Sequence, residues 1–182
     1  VLFGVLVFLA FDYVLPSRNT VRIVEVSNRL TNVGANAIFY AAPETGAAET
    51  ADGRRDVRFI STVRPGGKPF VYRNEDTGLI WPPYFKYDSS NLHAVAADQV
   101  STAANPTWVS VTAYGWRIPW WSVYPNAVGV QPVAGPDDRP LNWPALVVLG
   151  VMAAVLAVGW RWFDRDPDAA WVDVAALTRP TR

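Results

Sequence analysis

The chain has 182 residues, no cysteine, one histidine, and sixteen basic residues against sixteen acidic ones. This composition excludes a disulfide, a thiolate metal site, a cysteine nucleophile and a histidine-rich metal centre. With no net charge the chain has no long-range attraction for a polyanion, so nucleic acid is not an expected partner. Fifteen prolines and nine tryptophans indicate many turns and rigid aromatic surface, and disfavour long helices outside a membrane.

The first apolar stretch covers residues 1–15 and is interrupted only by Asp12. It is too short to cross a bilayer unaided, so it is interpreted either as part of a transmembrane helix that starts before Val1 or as the remnant of a signal peptide. We favour the helix, because no small residues of a cleavage site precede Pro16. Tyr13 is then expected as a membrane-interface anchor and Asp12 as a solvated charge at the headgroups.

Residues 16–140 are predicted to form a β-rich domain with its own core. Val21–Val26 alternates but changes phase at Ile23-Val24, which predicts either a bulge or a strand that is covered on both faces. Asn36–Ala41 is predicted as a second, weak strand.

A hairpin is predicted where Asp56–Val63 and Phe70–Arg73 flank the sequence Arg-Pro-Gly-Gly-Lys at 64–68. Proline fixes one turn position and glycine accepts the positive φ of the next. The alternation of the two strands predicts the following core-facing side chains: Val57, Phe59, Val63, Phe70 and Tyr72.

Two further features follow the hairpin. Trp81-Pro-Pro-Tyr84-Phe85 is a rigid apolar segment that either closes one end of a barrel or contacts a partner. A short helix capped by Asp88 or Ser89 is expected to run to residue 100, with one apolar face formed by Leu92, Val95 and Ala96. His93 lies off that face and is expected at the surface.

Trp108–Tyr114 alternates and predicts a strand, and residues 128–133 predict the last one. Between them, residues 115–126 concentrate aromatic side chains around Arg117. Barrel core, lipid-headgroup contact and a protein-binding surface are all open interpretations, since Trp, Tyr and Arg dominate interface hot spots. The candidate partner-binding residues are Trp116, Arg117, Trp120, Trp121 and Tyr124, together with Trp81 and Tyr84.

Residues 141–163 are predicted to form a membrane-spanning helix, because no ionisable side chain occurs from Pro144 to Trp160 and the run is long enough for a core of roughly 30 Å. Asn142 is suited to cap it. A buried helix of a soluble protein is the alternative. The expected membrane-interface residues are Trp143, Trp160, Trp162, Arg161 and Arg165, and residues 164–182 are expected to form a tail with a short helix.

The numbers of arginines next to the apolar segments do not decide the orientation in the membrane. Four lie on the side of the β-rich domain and four on the side of the C-terminal tail: Arg18, Arg22, Arg29 and Arg139 against Arg161, Arg165, Arg179 and Arg182. Domains of this length are translocated largely regardless of charge. We therefore expect the β-rich domain in the periplasm and both termini in the cytoplasm.

Catalytic motifs are absent from the sequence: there is no nucleophile elbow, Walker loop, dinucleotide fingerprint or zinc-protease helix. The adjacent carboxylates Glu75 and Asp76, and likewise Asp137 and Asp138, are interpreted as solvated turn residues rather than as a general acid and base. An enzyme is therefore not expected, nor is a metal or another cofactor.

Four segments carry a resemblance to a known family: Asp56-Val-Arg-Phe-Ile-Ser-Thr-Val-Arg-Pro, Val71-Tyr-Arg-Asn-Glu-Asp-Thr-Gly, Trp81-Pro-Pro-Tyr-Phe-Lys-Tyr-Asp, and Tyr114-Gly-Trp-Arg followed by Tyr124-Pro-Asn-Ala-Val. The chain resembles a family of short proteobacterial membrane proteins that is catalogued as a domain of unknown function. The resemblance covers most of the chain. It implies an inner-membrane protein with a domain between two spans, and it brings no catalytic residues.

The sequence thus predicts an α+β membrane protein, in which two transmembrane helices flank a small barrel- or sandwich-like extracytoplasmic domain. The expected function is that of a non-catalytic accessory or stabilising subunit of a larger inner-membrane complex, photosynthetic or respiratory. Its expected partners are the integral membrane subunits of that complex and the lipid bilayer. The alternatives are a freestanding periplasmic sensor with a pocket lined by Trp81, Tyr84 and Trp108, and, third, an enzyme that uses Asp or Glu.

Overall fold

A computed structural model describes residues 2–32, 34–40, 53–77 and 86–164 of the chain. It divides into two units, Val1–Asn142 and Trp143–Arg182. The elements of the first unit are helix α1 (Leu2–Val14), strands β1 (Ser17–Asn32), β2 (Arg54–Val63) and β3 (Pro69–Arg73), helix α2 (Ser89–Asp98), and strands β4 (Val109–Tyr114) and β5 (Asn126–Pro132). The described element of the second unit is helix α3 (Trp143–Asp164).

The five strands close into a barrel in the order β1-β2-β3-β5-β4. The long strand β1 pairs with β4 through residues 17–21 and with β2 through residues 22–32, and its register shifts between Ile23 and Glu25. The predicted bulge is thereby confirmed, and it lets one strand bend between two neighbours. A parallel contact joins β3 to β5 through Arg73 and Asn126. This order, with a helix between β3 and β4, is that of the OB-fold, a five-stranded Greek-key barrel.

The barrel interior is filled mainly by small and branched side chains, with Tyr72 contributed by β3. Inward-facing positions alternate along β4, where Val109, Val111 and Ala113 are fully buried. Ala96 of α2 packs against the same cluster, whose other buried members are Val21, Ile23, Ile60, Tyr72, Ala127 and Val130. Each buried Val or Ile contributes about 1.5–3 kcal/mol of transfer free energy, so this core is the main source of stability for the first unit.

A second apolar cluster covers the outer face of β2 and β3. Val57 and Phe59 pack there with Tyr40 from the β1–β2 connection and with Tyr124 from the β4–β5 connection. The Phe59 and Tyr124 rings meet edge to face at 5.2 Å. In OB-folds the strand 2–3 face and these two loops commonly bind oligonucleotides or oligosaccharides. Here aromatic residues of the chain itself cover that face.

Helix α1 is fixed to the barrel at its C-terminal end. The Tyr13 ring is buried and meets the Trp116 ring edge to face at 5.2 Å, while the Gly115 amide donates to the Tyr13 carbonyl at 3.0 Å. Gly115 has φ of +91°, a conformation that favours glycine. Trp116 Nε1 also donates to the Asp12 carboxylate at 2.9 Å, so Asp12 is a hydrogen-bond acceptor and not only a solvated charge.

In the described part of the chain, α3 is the one helix long and apolar enough to cross a membrane. Residues 143–162 have a mean hydropathy of 2.1. Helix α1 has 13 described residues. A membrane span at α1 therefore stays a prediction.

Several local predictions meet the structure directly. The hairpin is confirmed, since Val63 pairs with Pro69 and both glycines of its turn have positive φ. The strand at Asn36–Ala41 is wrong: residues 34–39 form a short 3₁₀ helix, in which Gly34 with φ of +35° turns the chain.

Predicted core positions on α2 and on β2 also differ from the structure. Val95 is exposed on α2, because that face turns away from the barrel. On β2 it is Ile60 that enters the barrel interior, while Val57 and Phe59 are buried in the outer cluster and Val63 is half-buried. Both faces of β2 are covered, so its alternation did not identify a single inward face.

Candidate functional site

Buried polar residues collect where β3 ends, α2 begins and β5 begins. We call this group the polar core, and it consists of Arg73, Asn74, Glu75, Thr77, Lys86, Ser89 and Asn126, all of which are buried. Buried polar groups destabilise a protein unless each finds a partner. The hydrogen bonds of the polar core therefore show what holds this end of the barrel together.

An ion pair between Arg73 and Glu75 lies at its centre. Arg73 Nη1 donates to Glu75 Oε2 at 2.6 Å, and the two side chains are only 1% and 6% exposed. Arg73 Nε donates to the Tyr124 carbonyl at 2.9 Å, and the guanidinium lies over the Tyr40 ring. Burial lowers the pKa of Arg73, but the charge and hydrogen bond of Glu75, together with Tyr114 and Tyr13, outweigh that effect and the net shift is upward. Arg73 therefore remains charged inside the protein.

Asn126 extends the contact between β3 and β5. Its Oδ1 accepts the Glu75 amide at 3.0 Å, and its Nδ2 donates to the Glu75 carbonyl and the Tyr114 hydroxyl, both at 3.1 Å. The Asn126 side chain thus bonds to both backbone groups of Glu75, as a neighbouring strand residue would in a longer β3–β5 pairing. This holds the end of the β4–β5 connection against the chain that leaves β3.

Lys86 is a buried lysine that contacts neutral acceptors. Its Nζ donates to Asn74 Oδ1 and, at 2.6 Å, to the Ala127 carbonyl. Burial lowers the pKa of Lys86 to about 7, while the charge of Asp76 opposes the shift. A neutral amine has two N–H groups, which match the two acceptors found among the described residues.

Asp76 caps the N-terminus of α2, although it lies twelve residues before the N-cap residue Asp88 in the sequence. Its carboxylate accepts the Ser89 amide at 2.8 Å and the Ser89 hydroxyl at 2.9 Å. Asp88 occupies the N-cap position without a side-chain cap hydrogen bond. The prediction that Asp88 or Ser89 supplies the cap is therefore wrong, because the carboxylate arrives from the end of β3.

Sequence reasoning missed the polar core. It interpreted Glu75 and Asp76 as solvated turn residues, whereas Glu75 is buried and Asp76 is half-buried. The available signal was an arginine and a glutamate two residues apart at the end of a core strand, positions whose side chains share a side in extended backbone. His93, predicted at the surface, is partly exposed on α2.

The aromatic turn, residues 118–123, is a second candidate site. Ile118 and Val123 exchange two backbone hydrogen bonds of 3.1 Å, and Pro119–Trp121 forms a 3₁₀ turn between them. Two side chains hold it from the β1–β2 connection: Asn36 Nδ2 donates to the Trp121 carbonyl and the Tyr40 hydroxyl to the Ser122 carbonyl. The turn thus has fixed geometry.

The predicted partner-binding residues separate into two groups. The indoles of Trp120 and Trp121 are 82% and 58% exposed, so the barrel-core interpretation is wrong for both. Trp116, Arg117 and Tyr124 are half-buried and support the turn. The Arg117 guanidinium lies 4.3 Å from the Tyr124 ring centre, and its Nη1 donates to the Val123 carbonyl at 3.0 Å. The other two predicted residues, Trp81 and Tyr84, lie outside the described residues.

The predicted membrane-interface residues lie at different places. Tyr13 is buried against the barrel, so its ring packs on protein and is not open to lipid. Four others are exposed on α3: Trp143, Trp160, Arg161 and Trp162. Arg165 lies outside the described residues. Within the described ranges no group of three or more His, Asp or Glu side chains is arranged to hold a metal ion.

The fold and these sites define a small OB-type barrel with a buried ion pair, a braced turn that carries two exposed indoles, and an apolar helix after the last strand. The chain belongs to the family described as "Protein of unknown function (DUF1523)", whose model matches residues 1–166. It is 34% identical over 172 residues to an uncharacterized protein of Haemophilus influenzae, with 91% of each chain covered. No solved structure matches the chain significantly.

Proposed function

We propose that the protein is a non-catalytic accessory subunit of a larger bacterial inner-membrane complex. In this proposal α3 and the α1 segment anchor it in the membrane, the barrel lies in the periplasm, and both chain ends are cytoplasmic. The aromatic turn is the docking contact. The observation that carries the proposal is the exposure of the adjacent indoles of Trp120 and Trp121 on a turn that backbone and side-chain hydrogen bonds hold in place.

Exposed tryptophans on a rigid support have the properties of an interface hot spot. Each indole offers a large apolar area and needs little further ordering on binding, because the turn is already fixed. Truncation of such residues commonly costs about 2–4 kcal/mol of binding free energy, which is roughly 30- to 900-fold in Kd. Two adjacent indoles are therefore enough to determine whether a complex survives purification.

The polar core stabilises the chain next to the aromatic turn. Arg73 and Asn126 hold the chain at Tyr124–Asn126, directly after the aromatic turn. Lys86 and Asn74 connect the same region to α2. In this proposal, the buried hydrogen bonds of the polar core stabilise the backbone arrangement that presents the turn.

The chain positions next to the two apolar segments lie side by side on the barrel. Asn142 Nδ2 donates to the Pro16 carbonyl at 2.7 Å, and Pro16 follows α1 by two positions while Asn142 directly precedes α3. Arg18 Nη1 also holds the Leu141 carbonyl at 2.7 Å. Anchors that leave a domain at one place are suited to entering one bilayer from the same side.

The experiment compares the wild-type chain with the Trp120→Ala/Trp121→Ala double variant in native membranes. Both are extracted in mild detergent, separated by size, and analysed by mass spectrometry for proteins that migrate with them. We expect the wild type to migrate with a larger complex, whose subunits name the complex as photosynthetic, respiratory or other. The double variant should migrate free of it while keeping its melting temperature.

The matched control is Leu30→Ala/Tyr87→Ala, which removes two other exposed apolar side chains of the barrel. It should leave migration unchanged. If the double tryptophan variant keeps its partner, the docking claim fails. If it loses the partner only because the barrel unfolds, the indoles are structural and the claim fails as well.

A further inference from the structure

An arginine-lined cleft lies beside the place where the chain leaves the barrel toward α3. It has a volume of about 370 Å³ and lies between the start of β1, the β2–β3 hairpin turn and residues 136–140. Its charged lining consists of Arg18, Arg64 and Arg139 against the single carboxylate of Asp137. Asn19 and Thr20 add polar groups to the same wall. The cleft therefore favours an anion.

Among the described residues, no arginine of this cleft forms an ion pair. Arg18 donates from all three nitrogens, to Thr112 Oγ1, the Leu141 carbonyl and Gln131 Oε1, and every one of these acceptors is neutral. Its guanidinium is thus fixed in direction and keeps its full charge. A guanidinium has five N–H groups in a planar fork that matches phosphate oxygens.

Arg64 is the second arginine that lines the cleft. Its guanidinium stacks on the Phe70 ring at 4.0 Å, and its positive charge partly opposes the rise that burial causes in the pKa of Tyr72. Arg139 is exposed at the rim.

We propose that this cleft binds the phosphate of an anionic phospholipid headgroup, so that the barrel is held against the membrane surface by a lipid as well as by its anchors. The inference rests on the membrane anchoring in the proposed function. Arg18 follows the last residue of α1 by four positions, at most about 14 Å of extended chain, and it holds Leu141, two positions before α3. The headgroup layer on each side of a bilayer is roughly 5–8 Å thick, so a cleft this near the anchors lies within reach of lipid phosphate. Lipid phosphate is therefore the anion that we assign to it.

The test uses the full chain purified in detergent with no added lipid. Phosphatidylglycerol, phosphatidylcholine and inorganic phosphate are added separately, and bound molecules are counted by native mass spectrometry while the melting temperature is followed. We expect one phosphatidylglycerol to bind and raise the melting temperature, with little effect from the other two. Arg64→Gln/Arg139→Gln should weaken this binding at least tenfold.

A control of equal charge change, Arg29→Gln/Lys68→Gln, removes two basic residues that do not line the cleft and should bind as the wild type does. Asp137→Asn removes the opposing carboxylate and should tighten binding about three- to tenfold. That gain cannot arise from unfolding.

Equal weakening by both double variants would overturn the site, and so would an unchanged affinity in Asp137→Asn. An equal response to inorganic phosphate would overturn the assignment to lipid. The proposed docking is tested separately, because the aromatic turn is intact in every one of these variants. A protein that binds lipid through the cleft but migrates alone would contradict the docking and leave this inference standing.

Discussion

The buried ion pair of the polar core makes a sharp prediction for Glu75→Gln. This change keeps the size of the side chain and removes the charge that Arg73 faces at 2.6 Å. Breaking a buried pair by removing one partner costs about 3–5 kcal/mol, because the remaining charge stays buried without compensation. For a barrel of about 125 residues, this corresponds to a fall in melting temperature of roughly 12–20 °C.

The chain supplies a matched control in Glu25→Gln. Glu25 pairs with Arg29 at 3.5 Å, but these side chains are 57% and 56% exposed, and exposed pairs contribute at most about 1 kcal/mol. Both variants are measured by thermal unfolding of the detergent-purified full chain, followed by tryptophan fluorescence. The two changes alter net charge equally, so their difference isolates burial. A loss of stability in Glu75→Gln no larger than in Glu25→Gln would refute the reasoning.

Three further predictions follow from the same packing. Burial lowers the pKa of Lys86 to about 7, so above that pH Lys86 is neutral in the folded protein while it still carries a proton in the unfolded chain. The free energy of unfolding should therefore rise between pH 7 and 9. This rise should be absent in Lys86→Met. Above pH 10 stability should fall in urea titrations, since burial raises the pKa values of Tyr40 and Tyr72 to about 12 and the unfolded tyrosines ionise first. Gly115→Ala should lower the free energy of unfolding by about 1–2 kcal/mol, measured by thermal unfolding, because Gly115 has a positive φ. Gly135→Ala, where a Cβ atom would meet open space, should lower it little. Equal effects of the two variants would contradict the strain argument.

The hairpin and the bulged first strand could be predicted because their signals are local. Proline and two glycines at 65–67 specify a turn whatever surrounds them, and the phase change at Ile23 and Val24 marks a bulge within one strand. Both appear in the structure. The alternation of Trp108–Tyr114 was informative for the same reason.

The polar core could not be predicted, because its partners are far apart in sequence. Asp76 caps α2 through Ser89, and Asn126 bonds to Glu75 across 51 positions. A turn-like sequence of polar residues looks the same whether solvent or protein covers it. The parallel contact between β3 and β5 brings Asn126 next to Glu75, and both side chains are buried.

In the aromatic segment, residues 115–126, the sequence likewise did not predict which side chains are exposed. Its composition suggested core, lipid contact and protein interface, and no pattern within residues 115–126 separated the exposed indoles from the supporting rings. The separation comes from the left-handed conformation of Ser122, with φ of 52°, and from the Ile118–Val123 pairing. These turn Trp120 and Trp121 outward.

The most direct test of the central claim is to find what the wild-type chain migrates with after gentle extraction of native membranes. Stoichiometric co-migration with integral membrane proteins, lost in Trp120→Ala/Trp121→Ala and kept in Leu30→Ala/Tyr87→Ala, is the predicted result. Migration of the wild-type chain alone in several mild detergents would contradict the account.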